Sequence, residues 1–309
     1  MPLLTKLKKH KKQPDDMTKV HPVKYKNIAT AMGFSPMAKA NLAEVHRIAK
    51  RCGAKFHVFH IGEWTDRCEL TYTKFLEELG IAKDEVVLVS KVGDPKVQLL
   101  ELCSEHAIDL LALGALVREK MFKVFTVSIA RDVCRKARVS LLLLTHSSVE
   151  GRRCERIVVN GSDHPKTPDT VATAAWLASK FESKELFVVD ELSEKELAPA
   201  DDDKSRLKST RQRRNLQREQ HGRVEEMLTG CSLPERLEVV EQHVFGKPGY
   251  TIAHYAKAKK ADLLVVNSPD TKLGLLDRIF KHDLEYILAD LPTDLLIVHT
   301  TKDRAHAQA

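Results

Sequence analysis

Short apolar runs alternate with amphipathic stretches through most of the chain, beginning near Tyr25. After an apolar run at 26–32, the segment 38–51 repeats apolar residues at helical spacing, and Gly53 ends it. The pattern continues, with strands predicted at 55–61, 85–92, 109–114 and 140–146 and helices at 65–79, from Pro95 and up to Arg135. Strands that alternate with helices predict an α/β fold with a doubly wound parallel sheet.

The second half of the chain repeats this order of elements. Four pairs of residues are each separated by 153 positions, as in 246−93: Gly93 and Gly246, Pro95 and Pro248, Asp109 and Asp262, Gly114 and Asn267. A constant offset through turn, helix and strand indicates two copies of one unit. The predicted strands are 156–162, 185–191, 236–244, 262–268 and 294–300, and the predicted helices are 170–180, 252–259 and 276–288.

Charge is concentrated at the beginning of the chain. The 309 residues carry a net charge of +7, and residues 1–24 hold seven lysines and two aspartates, 7−2 = +5. The remainder is close to neutral, which argues against a nucleic-acid-binding face on the folded body. Residues 1–24 have no periodicity and predict a basic disordered arm. Membrane contact is expected to be peripheral at most, because the arm is too weakly apolar for a firm anchor.

The six cysteines show no CxxC spacing, and no apolar run approaches the roughly 18 to 20 residues that span a bilayer. No secretory signal is recognisable at the beginning of the sequence. We therefore expect reduced thiols in a cytoplasmic protein.

Each half resembles the universal stress protein domain. The resemblance rests on EVHRIAKRCGAKFHVFHI, on Gly93-Asp94-Pro95 with its helix and strand, on KADLLVVNS and on LPTDLLIVHT. It implies two Rossmann-like domains in tandem, each with a five-stranded parallel sheet, whose last strands pair across a pseudo-twofold axis. The implied organisation is a basic arm 1–24, a domain 25–146, a linker 147–153, a domain 154–300 with a charged helical insert 194–230, and a disordered tail 301–309.

The resemblance also implies where a nucleotide would bind. Nucleotide-binding members carry Gly-x-x-Gly-x9-Gly-Ser after the fourth strand and an aspartate at the end of the first strand. In the first half, Gly114 and Ser128 match the motif, Val117 and Val127 replace its two inner glycines, and Gly33 replaces the aspartate. Valine side chains fill space that phosphates need and resist positive φ.

The second half departs further from the motif. Asn267 and Asp270 replace its first two glycines, and a carboxylate at Asp270 would repel phosphate. The position of the aspartate at the end of the first strand is held by Asn160 or Asp163, depending on the alignment. We therefore expect ATP to bind weakly or not at all, with residual binding in the first half.

No group of residues in the sequence indicates a catalytic site. His57 and His60 form an HxxH on a strand, where odd spacing directs them to opposite faces, so we predict no metal site. Asn160-Gly161-Ser162-Asp163-His164 lacks the nucleophile elbow and is expected to be a turn. The basic cluster in 204–223, which includes Arg223, is expected to be a solvated, partly disordered helix.

Together these expectations describe a non-catalytic stress-response or regulatory protein with degenerate nucleotide sites and no certain cofactor. Two alternatives remain open. One is an ATP-binding switch or weak ATPase that uses the first half. The other is an adaptor that docks to a membrane protein or nucleic acid through the arm or the insert. Protein partners and self-association are compatible with all three.

Overall fold

The structure is a computed structural model that describes residues 20, 22–115, 132–134, 136–192, 210–211, 215, 218, 221–229, 231–269 and 284–300. The chain divides into two compact units. The first-half unit is Lys24–Arg153 with Thr293–Ala309, and the second-half unit is Met1–Val23 with Cys154–Pro292.

The first-half unit begins with five strands and three described helices. They are β1 (Asn27–Ala31), α1 (Ala38–Cys52), β2 (Lys55–Ile61), α2 (Asp66–Leu79), β3 (Val86–Lys91), α3 (Pro95–Glu105), β4 (Leu110–Gly114) and β5 (Ser140–Leu144). The strands are parallel in the order β3-β2-β1-β4-β5. The inner residues of β1, β2, β4 and β5 are buried, as expected for strands covered on both faces, whereas most residues of the edge strand β3 are half-buried.

Local sequence explains where these helices begin and end. Gly53 and Gly80 adopt φ of 67° and 64°, a left-handed conformation that glycine reaches without steric cost, and they end α1 and α2. The Thr65 hydroxyl caps α2 by accepting from the Cys68 N–H, and the Asp94 carboxylate caps α3 by accepting from the Lys96 N–H.

The second-half unit repeats this arrangement. Its elements are β6 (Arg156–Asn160), α4 (Thr167–Phe181), β7 (Glu185–Leu192), β8 (Glu238–Phe245), α5 (Tyr250–Ala258) and β9 (Leu263–Asn267). The parallel order β9-β6-β7-β8 matches β4-β1-β2-β3 of the first-half unit. The predicted α/β class with doubly wound, Rossmann-like sheets is confirmed.

The last strand, β10 (Asp294–Val298), belongs to the first-half unit, where it pairs antiparallel with β5. The pairing is symmetric about Leu142 and Leu296, which lie opposite one another. The flanking bonds are symmetric as well: the Thr145 N–H donates to Asp294 Oδ1 at 2.8 Å, and the His299 N–H donates to Ser140 Oγ at 3.1 Å. The two last strands of the repeats thus pair, as the resemblance implies.

The two aspartates at equivalent sequence positions perform the same structural role. Asp109 Oδ2 accepts from the N–H groups of Lys26 and Asn27, at 2.9 and 3.0 Å. Asp262 Oδ2 accepts from the N–H groups of Glu155 and Arg156, at 2.8 and 2.9 Å. Each carboxylate therefore fixes the start of the neighbouring central strand. The repeated Asp is explained by folding, without any ligand.

Several predicted boundaries differ from the structure, and two of them lie in the second-half unit. Val23, assigned to the disordered arm, is buried, and its N–H donates to Thr173 Oγ1 at 2.9 Å. Helix α4 begins at Thr167, three residues before the predicted start, because Pro168 fits the first helical turn. Residues 1–19, most of 193–220 and the tail 301–309 lie outside the described residues. Within the described ranges, no helix has both the length and the apolar character of a membrane span.

Candidate ligand site at the carboxyl ends of the strands

Equivalent hydrogen bonds align the loops that follow the two central strands. The Met32 N–H donates to the Phe59 carbonyl at 2.8 Å, and the Gly161 N–H donates to the Val189 carbonyl at 2.7 Å. Met32 thus corresponds to Gly161, an offset of 129 that α1 and α4 share, and Gly33 corresponds to Ser162. Ser162 therefore occupies the position for which Asn160 and Asp163 were the candidates, and these two flank it.

The three candidates in this loop have different surroundings. Asn160 Oδ1 accepts from the N–H of Ser162 at 2.8 Å and also from its hydroxyl. The Asp163 side chain is 92% exposed and pairs with Arg223 at 3.1 Å. Both interactions fix a turn after the strand, and no nucleophile–base pair forms there.

At the end of β9, the first glycine position of the motif is filled by a buried side chain. Asn267 is 7% exposed, and its Nδ2 donates to Thr167 Oγ1 at 3.0 Å. The Thr167 hydroxyl in turn donates to the Ser162 carbonyl at 2.7 Å. A chain of hydrogen bonds therefore crosses from β9 to the loop after β6.

A cavity of about 180 Å³ lies beside this chain of hydrogen bonds. Among the described residues, its polar lining comes from Asn160, Ser162, Glu191 and Asn267, and the other lining residues are mainly apolar: Pro248, Gly249, Val266, Pro269, Leu284 and Ile287. The N–H groups of Gly249 and Ile252, at the start of α5, donate to the two Glu191 carboxylate oxygens at 3.0 and 2.8 Å. A helix N-terminus attracts anions, and here the chain's own carboxylate caps it.

A buried lysine holds the loop that follows β9. The Lys166 ammonium donates to the Ser268 carbonyl at 3.2 Å, to its hydroxyl at 3.0 Å and to the Pro269 carbonyl at 3.4 Å. Met37 occupies the equivalent position in the first half, so this polar contact is specific to the second half.

The first half keeps Gly114 at the end of β4, and the structure gives a packing reason for it. A Cβ on Gly114 would lie 2.2 Å from Nδ2 of Asn41, on α1. The second half carries Thr170 at the position of Asn41 and Asn267 at that of Gly114. The first half therefore has the larger side chain on the helix and the second half has it on the strand. This packing explains Gly114 without a ligand.

Residues 154–299 match the model of the Universal stress protein family. These residues form a universal stress protein domain. A comparison with curated protein sequences gave no significant match.

Solved structures with the same fold cover nearly the whole chain. A functionally unknown protein from Pseudomonas aeruginosa PAO1 is 13% identical with a TM-score of 0.65, covering 92% of this chain and 96% of its own. A putative universal stress protein from Pseudomonas aeruginosa UCBPP-PA14 is 14% identical with a TM-score of 0.64 and the same coverage. A universal stress protein from Archaeoglobus fulgidus DSM 4304 is 16% identical with a TM-score of 0.57, covering 91% and 98%. At these identities the likeness shows the fold alone.

The predicted insert ends in a helical segment, residues 221–228, between β7 and β8. Its apolar residues Val224, Met227 and Leu228 are buried. Arg223 donates to the Gly161 carbonyl at 2.9 Å and lies 3.4 Å from Asp190 Oδ2. The prediction that Arg223 belongs to a solvated cluster is wrong, because the apolar residues beside it hold this segment on the sheet.

His221 approaches the buried Glu241, with Nδ1 at 3.0 Å from both carboxylate oxygens. Burial raises the pKa of Glu241, and the His221 contact opposes that shift. Burial and the nearby Arg223 lower the pKa of His243. The end of the predicted insert is therefore fixed to the second-half unit by both apolar and ionic contacts.

The two HxxH histidines lie in separate ring clusters. His60 contacts Phe34 and Trp64 at centroid distances of 5.4 and 5.2 Å, whereas His57 contacts His106 at 5.5 Å. Burial, with lesser contributions from Lys55 and His106, lowers the pKa of His57 to about 4. Within the described ranges, no group of three or more potential ligands could hold a metal ion.

Five of the nine predicted site residues are described: Gly33, Gly114, Asn160, Asp163 and Asn267. Val117, Val127, Ser128 and Asp270 lie outside the described residues. Sequence reasoning missed Thr167, Glu191 and Arg223. The alignment of Gly33 with Ser162 could have been found, because Pro36 and Pro165 share the offset of 129. No local signal marks the other three.

Proposed function

We propose that this chain is a tandem universal stress protein that acts as a non-catalytic regulator in the stress response, with nucleotide sites that have degenerated. Family membership of residues 154–299 supports the stress-response role. The repeated strand order and the equivalent bonds of Asp109 and Asp262 support a second domain of the same kind in the first half. All six cysteines are free thiols, which fits a cytoplasmic location.

The observation that carries the degenerate-site proposal is the buried Asn267 side chain. Phosphates bind where glycine lets backbone N–H groups approach at a helix start. Here Asn267 occupies the first glycine position, with its amide tied to Thr167. The cavity of about 180 Å³ is also smaller than the roughly 300 Å³ at which ligand pockets usually begin. A nucleoside triphosphate needs more room and more donors than these residues offer.

Calorimetric titration of the whole chain with ATP tests this proposal. We expect a dissociation constant weaker than about 100 µM, because losing two charge-assisted backbone contacts costs several kcal/mol. Asn267→Gly should strengthen binding, whereas Asn27→Gly, which removes an amide that does not line the cavity, should not. A micromolar or tighter constant for the wild-type chain contradicts the proposal.

One observation favours a second candidate, an ATP-binding switch in the first half: Gly114 keeps the first glycine position at the end of β4. The matched test is Val117→Gly combined with Val127→Gly. Stronger ATP binding by this variant would support the switch. Unchanged binding would direct attention to Gly33, where the motif has an acid.

A further inference from the structure

The orientation of the Asn267 amide follows from its hydrogen-bond partner. The Thr167 hydroxyl has one hydrogen, and the bond to the Ser162 carbonyl at 2.7 Å uses it. Toward Asn267, Thr167 Oγ1 can therefore only accept, so the amide nitrogen must face it. The buried Asn267 Oδ1 makes no hydrogen bond in the part of the chain that the structure describes.

The Asn160 amide is oriented in the same way. Its Oδ1 accepts from both the N–H and the hydroxyl of Ser162, so the amide oxygen faces the turn. Its Nδ2, which cannot accept, is left as a donor. Asn160 and Asn267 both line the cavity, so its polar wall combines an acceptor with a donor.

Among the described residues that line the cavity, Glu191 disfavours anions. Glu191 lines the cavity and already receives the N–H groups of Gly249 and Ile252, which are the donors that an anion would otherwise use. The Lys166 ammonium is directed to Ser268 and Pro269. On the described part of the wall, a ligand carboxylate or phosphate would therefore meet a carboxylate rather than open donors.

Cavity size sets the scale of the ligand. An apolar cavity of roughly 150 Å³ accommodates benzene, so about 180 Å³ admits one six-membered ring with a small substituent. Val266, Leu284 and Ile287 provide apolar walls for such a ring.

We propose that this cavity binds a small neutral ligand that presents an N–H donor beside a carbonyl acceptor, as a ring-borne primary carboxamide does. The carboxamide N–H donates to Asn267 Oδ1, and its carbonyl accepts from Asn160 Nδ2. The proposal extends the proposed function by assigning the second-half site to a ligand without phosphate. It also makes Thr167 a positioning residue, because its hydroxyl orients the Asn267 amide.

Three probes of nearly equal size test the proposal on the whole chain: benzamide, acetophenone and benzoate, followed by ligand-observed NMR titration. We expect benzamide to saturate with a dissociation constant of about 1 mM, reasonable for so few atoms. Acetophenone lacks the N–H donor and benzoate adds a charge, so both should bind at least about tenfold more weakly. Benzoate binding as tightly as benzamide, or no saturation by benzamide up to tens of millimolar, overturns the proposal.

Variants locate the binding. Asn267→Leu should weaken benzamide binding about tenfold, because it removes the acceptor while keeping similar bulk. Thr167→Val should weaken it several-fold and reduce the preference over acetophenone, which a purely structural role would leave unchanged. Asn27→Leu is the control and should change nothing. Benzamide binding that survives both cavity variants, with folding verified by circular dichroism, contradicts the proposal. ATP titration is a separate measurement, so either proposal can fail alone.

Discussion

The two halves hold the same backbone carbonyl in different ways. In the first half, the Met32 carbonyl lies 3.0 Å from Nδ1 of His60, on the neighbouring strand β2. In the second half, the equivalent carbonyl, of Gly161, accepts from Arg223 at 2.9 Å. Asp190 stands at the His60 position and helps to hold Arg223. A carbonyl acceptor at the end of a strand needs a donor, and either a neighbouring strand or a distant segment supplies it.

The first prediction breaks this contact. Arg223→Met keeps the apolar stem and removes the guanidinium, leaving Asp190 and the Gly161 carbonyl without it. We expect a loss of about 3 kcal/mol in the free energy of unfolding, measured by urea denaturation, because the buried Asp190 carboxylate loses a charge partner and the Gly161 carbonyl loses a donor.

The exposed Arg67→Met is the matched control and should have little effect. Adding Asp190→His to Arg223→Met should recover part of the loss, because it places an imidazole donor where the first half has His60. If the double variant is no more stable than Arg223→Met, the inference that His60 and Arg223 perform the same role is wrong.

The second prediction concerns what the halves share. Asp109→Ala and Asp262→Ala each remove a carboxylate that accepts two backbone N–H groups, so each should cost about 2 to 3 kcal/mol of unfolding free energy. Similar losses are expected, because the four hydrogen bonds are of similar length. A large loss for one variant with none for the other would contradict the shared structural role.

The third prediction uses a pair of equivalent rings, His57 in β2 and Phe187 in β7. The folded protein keeps His57 neutral down to a pKa of about 4, whereas the unfolded chain binds this proton near pH 6.5. The stability from neutral His57 is therefore present above pH 6.5 and is lost as the pH falls toward 4.

Between pH 7.5 and 4.5 this residue alone should cost about 2 kcal/mol, and His57→Phe should remove that part of the pH dependence. Urea denaturation of both proteins across this range is the measurement. Phe187→His, the reciprocal variant, should introduce the same acid sensitivity in the second half. Parallel pH profiles for wild type and His57→Phe would contradict the prediction.

The fourth prediction concerns side-chain volume at the end of β4, where Gly114 packs against Asn41. Gly114→Ala should cost about 1 kcal/mol of unfolding free energy, because the new methyl group overlaps the Asn41 amide. Asn41→Thr, the residue type of the second half at this position, should remove most of that cost. Gly222→Ala is the control, because its Cβ would meet nothing within 4 Å. If Gly114→Ala costs as much unfolding free energy in the Asn41→Thr variant as in the wild type, Gly114 is kept for its backbone conformation instead.

The sequence by itself determined the elements, the repeat and the fold class. Apolar periodicity, helix caps such as Asp94 and stops such as Gly53 act between neighbours along the chain, so a pattern of residues reports them directly. The repeat provided a second, independent indication of local structure. Gly93 and Gly246 recur at the offset of 153, and both adopt a positive φ, 145° and 152°. Such conformations favour glycine in any sequence.

Only the tertiary structure decided which contacts build the candidate site. Arg223 reaches Gly161 across 62 positions and Asn267 reaches Thr167 across 100. These contacts depend on how strands and connections are arranged in space, and each side chain is locally ordinary for a polar segment or a strand end. The same holds for β10, whose sequence assigns it to the second repeat while its pairing with β5 places it in the first-half unit. Local residue preferences determine where helices and strands form. Side-chain packing and the need of backbone groups for hydrogen bonds determine which distant residues come into contact.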